Sequence, residues 1–113
     1  MENAKITIDE FKKVDIAVGL ILTAEKIADT DKLLKLVVDL GEPTSRQVVS
    51  GISLYFPDPS VLVGKKAMFV ANLEPRMIKG FESQGMILAV STEDGKFSLL
   101  SPTENVPAGT RAK

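Results

Sequence analysis

The 113-residue chain contains no cysteine, no histidine and no tryptophan. Without thiols or imidazoles it can form no disulfide, no Cys/His metal site and no Ser-His-Asp triad. The acids and bases that remain are carboxylates and lysines at ordinary surface spacings, which points to binding rather than catalysis. Aromatic residues are scarce as well, with one Tyr and five Phe. Proteins that grip extended single strands stack successive bases on such rings, so this chain has few platforms of that kind. No apolar run approaches the ~18 residues that span a bilayer. The opening MENAKITIDEF lacks the basic flank and apolar core of a signal peptide, so a cytoplasmic protein without membrane contact is expected.

What is present suits one globular domain over 1–113, at 44% apolar and 26% charged residues. The net charge of −1 argues at first against a nucleic-acid partner, but its distribution is uneven. From Val14 to Thr44, Lys26, Lys32 and Lys35 are outnumbered by six carboxylates, Asp15, Glu25, Asp29, Asp31, Asp39 and Glu42. From Ser60 to Thr92 the sign reverses, with Lys65, Lys66, Arg76 and Lys79 facing only Glu74 and Glu82. A patch this modest implies weak, salt-sensitive binding to phosphates.

Thr7 followed by Glu10 is a capping box and predicts a short helix over Ile8–Lys13. From Val14 the period falls to two, with Val14, Ile16, Val18, Leu20 and Leu22 on one face of a long strand. Gly19 marks the place for a bend or bulge in it. Leu34, Leu36, Val38 and Leu40 alternate in a second strand, and the cluster Gly41–Ser45 turns it into a third over Arg46–Ile52. An irregular piece, Ser53–Gly64, leaves room for a helical turn near Ser60–Leu62. Strands then follow over Lys65–Ala71 and Met86–Ser91, and Glu93-Asp94-Gly95 turns the chain into Lys96–Leu100. Phe11, Phe69 and Phe97 are expected inside; Tyr55, Phe56 and Phe81 are expected outside.

Five short strands, a long bent first strand and an insertion after the third predict an all-β fold. The expected architecture is an OB-fold, a five-stranded Greek-key barrel over 14–91. A short N-terminal helix lies in 1–13, and a C-terminal β extension follows over 92–113. A β-sandwich needs about seven strands and fits less well. OB barrels bind ligands between the strand 1–2 and strand 4–5 loops. Here those loops are Lys26–Lys32 and Asn72–Gly85, so the topology brings Lys32 toward Arg76, Lys79, Ser83 and Gln84, with Met86 opening the next strand.

The blocks KVDIAVGLI, DKLLKLVVDLG, QVVSGI, LVGKK and VANLEPRMIKGFESQGMILA, in that order, closely resemble the tRNA-binding domain family. That family includes the C-terminal domain or beta subunit of methionyl-tRNA synthetase, free-standing structure-specific tRNA-binding proteins and the endothelial-monocyte-activating polypeptide domain. The resemblance spans Ile8 to Arg111 and implies a non-catalytic module that binds tRNA without metal or cofactor. It points to Lys32, Ser83 and Met86 in particular. Many members carry a basic DIRVGKI in the first strand, where Ala17 and Leu20 stand here, and His-Pro where this chain has Ile27 and Ala28. The lost charge is the best support for the alternative, a protein-interaction or chaperone-like scaffold. A homodimer paired through Phe97, Leu99 and Leu100 is expected, or attachment to a methionyl-tRNA synthetase catalytic domain.

Overall fold

The computed structural model describes residues 4–113, so residues 1–3 of the expected N-terminal segment lie outside the described residues. Helix α1 covers Ile8–Phe11, capped reciprocally by Thr7 and Glu10 as the capping box predicts. Strands β1 (Ile16–Lys26), β2 (Leu34–Asp39), β3 (Arg46–Ser50), β4 (Lys66–Val70) and β7 (Met86–Ile87) form one antiparallel sheet ordered β3-β2-β1-β4-β7. The sheet curls into a nearly closed barrel, confirming the expected all-β, OB-like fold.

Strand β1 serves both halves of the barrel. Its first half, Ile16–Leu20, pairs with β4, and its second, Leu20–Lys26, pairs with β2. The register slips between Ile21 and Thr23, so the irregularity lies at Leu22 rather than at Gly19. Gly19 has a different task. A Cβ there would lie 2.5 Å from the Phe69 ring and 2.7 Å from Val38, both fully buried. The inward residues of β1 are accordingly Ala17, Gly19 and Ile21, while Leu22 is exposed and Leu20 is half-buried. Of the face expected from hydrophobicity, Val18 alone is buried, and it lies outside the core cluster that contains Phe69. Only small side chains fit opposite Phe69, which fills the barrel centre. Strand β2 follows its alternation, with Leu34, Leu36, Val38 and Leu40 all buried.

Between β3 and β4 the chain makes two short 3₁₀ turns, Ser53–Tyr55 and Pro59–Leu62, and buries Leu62. The expected fifth strand breaks at Leu88. Its N–H donates to Met68 O (2.9 Å), and its carbonyl accepts from Leu100 N–H (3.0 Å). Beyond it, β8 (Ala89–Ser91) forms a hairpin with β9 (Phe97–Leu99) across the predicted turn.

The C-terminal segment is not surplus. Phe97 and Leu99 pack against the barrel's own core cluster. Residues 109–112 then run along the first half of β1, on the edge that β2 leaves free. Gly109 N–H donates to Val18 O (2.7 Å), Val18 N–H to Thr110 O (2.9 Å) and Ala112 N–H to Ile16 O (2.8 Å). The premise that this apolar strand finds no partner in its own chain is therefore overturned. Phe11, expected inside, is exposed, whereas Phe56 and Phe81, expected outside, are half-buried.

Candidate nucleic-acid interface

The loop between β1 and β2 closes on itself. Ile27 is buried as its anchor, its N–H donates to Leu33 O (3.2 Å), and the Thr30 hydroxyl donates to Ile27 O (2.8 Å). These bonds leave the Lys32 side chain in solvent, while its carbonyl accepts the N–H of Ser53 at 2.9 Å.

The strand 4–5 connection, read from sequence as a loop, holds a further hairpin. Strand β5 (Arg76–Ile78) pairs with β6 (Phe81–Ser83), and Lys79-Gly80 forms the two-residue turn with φ of 50° and 84°. Positive φ at both central positions is the type I′ pattern, where Asn-Gly is the usual pair. A lysine there sits in a region that disfavours residues with a Cβ. The strain holds a cation at the very tip. Replacing Lys79 with Asn should raise stability by about 0.5–1 kcal/mol while weakening RNA binding. Thermal melts and a filter-binding titration check the two halves; a variant that binds as tightly as the parent would show that the tip has no part in binding.

The hairpin tip meets the β1–β2 loop. Lys32 and Lys79 line one cleft of about 470 Å³, with Ile78 as its apolar floor and Asp29 and Asp31 at its rim. Arg76, Ser83 and Met86 border a second, smaller cavity of about 80 Å³, which shares Ile78 with that cleft. The six residues expected at the site therefore do not share one cavity, and Gln84 lines neither. Lys32, Arg76, Lys79 and Met86 are exposed.

Ser83 and Gln84 face inward and close the barrel. Ser83 is buried; its Oγ accepts the Val49 N–H (3.0 Å) and donates to Gly85 O (3.1 Å). Gln84 exchanges bonds with Gln47: its N–H donates to Gln47 O (2.8 Å), and its Oε1 accepts Gln47 N–H (2.9 Å). Arg46 completes the seam. Its guanidinium donates to Ala71 O, where the connection begins, and to Gln84 O (3.1 Å), where it ends. Its remaining donors grip Glu42 in a two-pronged pair at 2.8 and 2.7 Å. That bond holds the Glu42 carboxyl below its ordinary pKa and raises that of Arg46. Asn72 ties down the hairpin's entry by accepting the Asp15 N–H at 2.8 Å.

One cation near the site escaped the sequence reading. Lys35, on the outward side of β2, places its ammonium 5.1 Å from the centre of the Phe81 ring. No local signal pairs them, because Phe81 belongs to a hairpin that the sequence presents as loop. Across the whole face, cations alternate with Asp29, Asp31, Glu74 and Glu82. Attraction to phosphate is therefore local and modest.

Comparison with known proteins bears on the family and the fold. The profile of the family described as "Putative tRNA binding domain" matches residues 16–111. The chain belongs to this tRNA-binding family. It is 50% identical over 105 residues to methionine–tRNA ligase of Helicobacter pylori, covering 93% of this chain and 16% of that enzyme. It is 44% identical over 108 residues to the Deinococcus radiodurans enzyme, covering 96% and 16%. The chain thus spans only a small part of the synthetases it matches. Among solved structures, a methionyl-tRNA-synthetase-related protein from Pyrococcus horikoshii superposes with TM-score 0.87 at 47% identity, each chain fully covered. The chaperone CsaA of Bacillus anthracis superposes with TM-score 0.85 at 27% identity, over 97% of this chain and all of that one. The chain is thus similar both to a segment of synthetases and to solved chains of its own size.

Proposed function

We propose that the chain is a non-catalytic, cytoplasmic tRNA-binding module that reads the shape of folded tRNA. The observation that carries this reading is the cleft in which Lys32 and Lys79, 47 positions apart in the numbering, face one opening. Arg76 and Lys79 make the main phosphate contacts, Lys32 supports them from the opposite wall, and Met86 packs on a sugar or base edge. Ser83 and Gln84 serve by holding the hairpin in place. Attached to a methionyl-tRNA synthetase, such a module adds affinity by raising effective concentration.

Replacing Arg76 and Lys79 together with Ala should weaken binding to all tRNAs about equally. The salt dependence of binding should flatten by roughly one to two units. Gel shifts across a salt series test this, and an unchanged slope would remove both residues from the interface. Unrelated tRNAs should compete within a few-fold of one another, and a poly-pyrimidine strand poorly.

Self-association belongs to the same reading, through a different surface from the one the sequence suggests. Ile6, Ile8, Phe11 and Val14 lie exposed along the N-terminal arm, and α1 buries none of its residues. A four-residue helix has little stability of its own, so cover from a second copy would account for its order. Two copies would also present two weakly basic faces to one RNA. A protein-binding scaffold is the second reading, favoured by the exposed Leu73, Met77 and Met86 beside Arg76.

A further inference from the structure

A third cleft, of about 490 Å³, shares no lining residue with the two cavities beside the hairpin. Its volume falls in the range of small-ligand sites, ~300–1,000 Å³. It lies between the 3₁₀ turns that follow β3 and the β8–β9 hairpin, and its wall is aromatic. The Tyr55 ring lies flat on Phe97, with centroids 4.0 Å apart and planes 11° from parallel. Phe56 meets Phe97 edge-on at 5.7 Å and 82°, which fixes the ring on which Tyr55 rests. Tyr55 remains 46% exposed, so the stack is two rings deep and open to solvent.

The charge of the cleft narrows its occupant. Lys65 is the one charged residue in the lining and is exposed. Among the described residues it has no carboxylate partner within ion-pair distance. A flat ring carrying a negative group satisfies both features, which is the description of a nucleotide. An apolar peptide would use the rings and leave the cation unmatched.

Position supplies the remaining argument. The Lys32 carbonyl accepts the N–H of Ser53 at 2.9 Å, and Ser53 opens the turn that ends at Tyr55. The aromatic shelf therefore begins where the basic loop ends. We infer that this cleft takes one unpaired nucleotide of the RNA held between Lys32 and Lys79, its base stacked on Tyr55 and its phosphate beside Lys65. This rests on the tRNA-binding reading and extends it. The domain then reads shape at its basic cleft and one unstacked base at its shelf, which suits a chain with so few exposed rings.

Tyr55 is the only tyrosine and there is no tryptophan, so intrinsic emission reports this cleft alone. Titration with a tetra-adenylate should quench it saturably, with an upfield shift of the Tyr55 ring protons, and whole tRNA should do the same. Tyr55→Leu keeps apolar volume without a ring and should weaken binding of tetra-adenylate and tRNA roughly five-fold or more, whereas Tyr55→Phe should not. Lys65→Ala should weaken both ligands and flatten the salt slope by about one unit. tRNA binding that leaves the tyrosine signals unmoved overturns the inference, as does a Tyr55→Leu variant with parental affinity. Quenching that follows protein concentration or an apolar peptide instead of RNA assigns the shelf to a protein partner and also overturns it. The two readings fail separately. The Arg76/Lys79 double variant should lose tRNA yet keep its response to tetra-adenylate, and that response decides the shelf even if whole tRNA does not bind.

Discussion

Gly19→Ala should destabilise the domain by about 2–3 kcal/mol, the high end of what one added methyl costs in a packed core. For a domain of this size that is a fall in melting temperature of roughly 10 °C or more. The new Cβ would lie 2.5–2.7 Å from the Phe69 ring and the Val38 side chain. Neither neighbour can swing away, since both are fully buried and Phe69 is held among β1, β2 and β4. Strand β1 would have to retreat from β4, and its pairing from Ile16 to Leu20 would loosen. The folded fraction should still bind tRNA normally, because Gly19 lies within the barrel and away from both basic loops. Thermal and urea unfolding decide the matter. A variant as stable as the parent would mean that Gly19 is only a flexible point in a bent strand.

The second large effect is expected at Arg46. Arg46→Met removes the guanidinium that joins Glu42, Ala71 and Gln84, leaving two half-buried carbonyls without that donor. A loss of about 2 kcal/mol in stability should follow, below the figure for a fully buried pair because the arginine is partly exposed. Binding should suffer too, through the β5–β6 hairpin, whose connection Arg46 grips at both ends. Arg46→Lys should fail to restore it, since an ammonium cannot reproduce the fork. If Arg46 acts by positioning, adding Lys79→Ala to Arg46→Met should cost less than Lys79→Ala alone, a coupling of about 1 kcal/mol. Additive losses would limit Arg46 to general stability. The pair also sets an acid limit. Glu42 titrates below its ordinary value when folded, so its stabilisation is present above that ordinary value and fades as pH falls through the lowered one. The gap in melting temperature between the parent and Arg46→Met should therefore narrow in acid, leaving the part that comes from the two carbonyls.

Much of the fold is local in origin and is readable from neighbouring residues. The Thr7/Glu10 capping box, the alternation of Leu34, Leu36, Val38 and Leu40, and the turns at Gly41–Ser45 and Glu93–Gly95 all formed as their sequence predicts. Each rests on interactions within a few residues, where propensity and periodicity carry the information. The ordered blocks that resemble the tRNA-binding family were equally legible, and with them the barrel and its two flanking loops. Other features depended on distant parts of the chain. The core-facing side of β1 was decided by the bulk of Phe69 across the barrel, which admits Ala17 and Gly19 beside it, while Leu20 stays half-buried and Leu22 exposed. The β5–β6 hairpin is too short and its Lys79-Gly80 turn too atypical to show in sequence; packing against β3 and the Arg46 clamp hold it. Ser83 and Gln84 read as surface hydrogen-bonders because their partners, Val49 and Gln47, lie more than thirty residues away. The tail read as surplus for the same reason: the free edge of β1 that it covers arises only when β2 departs along the second half of that strand. Sequence alone determined the family, the strands of the barrel and which loops carry charge. Tertiary contact alone decided which of those polar groups are free to meet a ligand, because a side chain's exposure depends on what distant residues pack upon it.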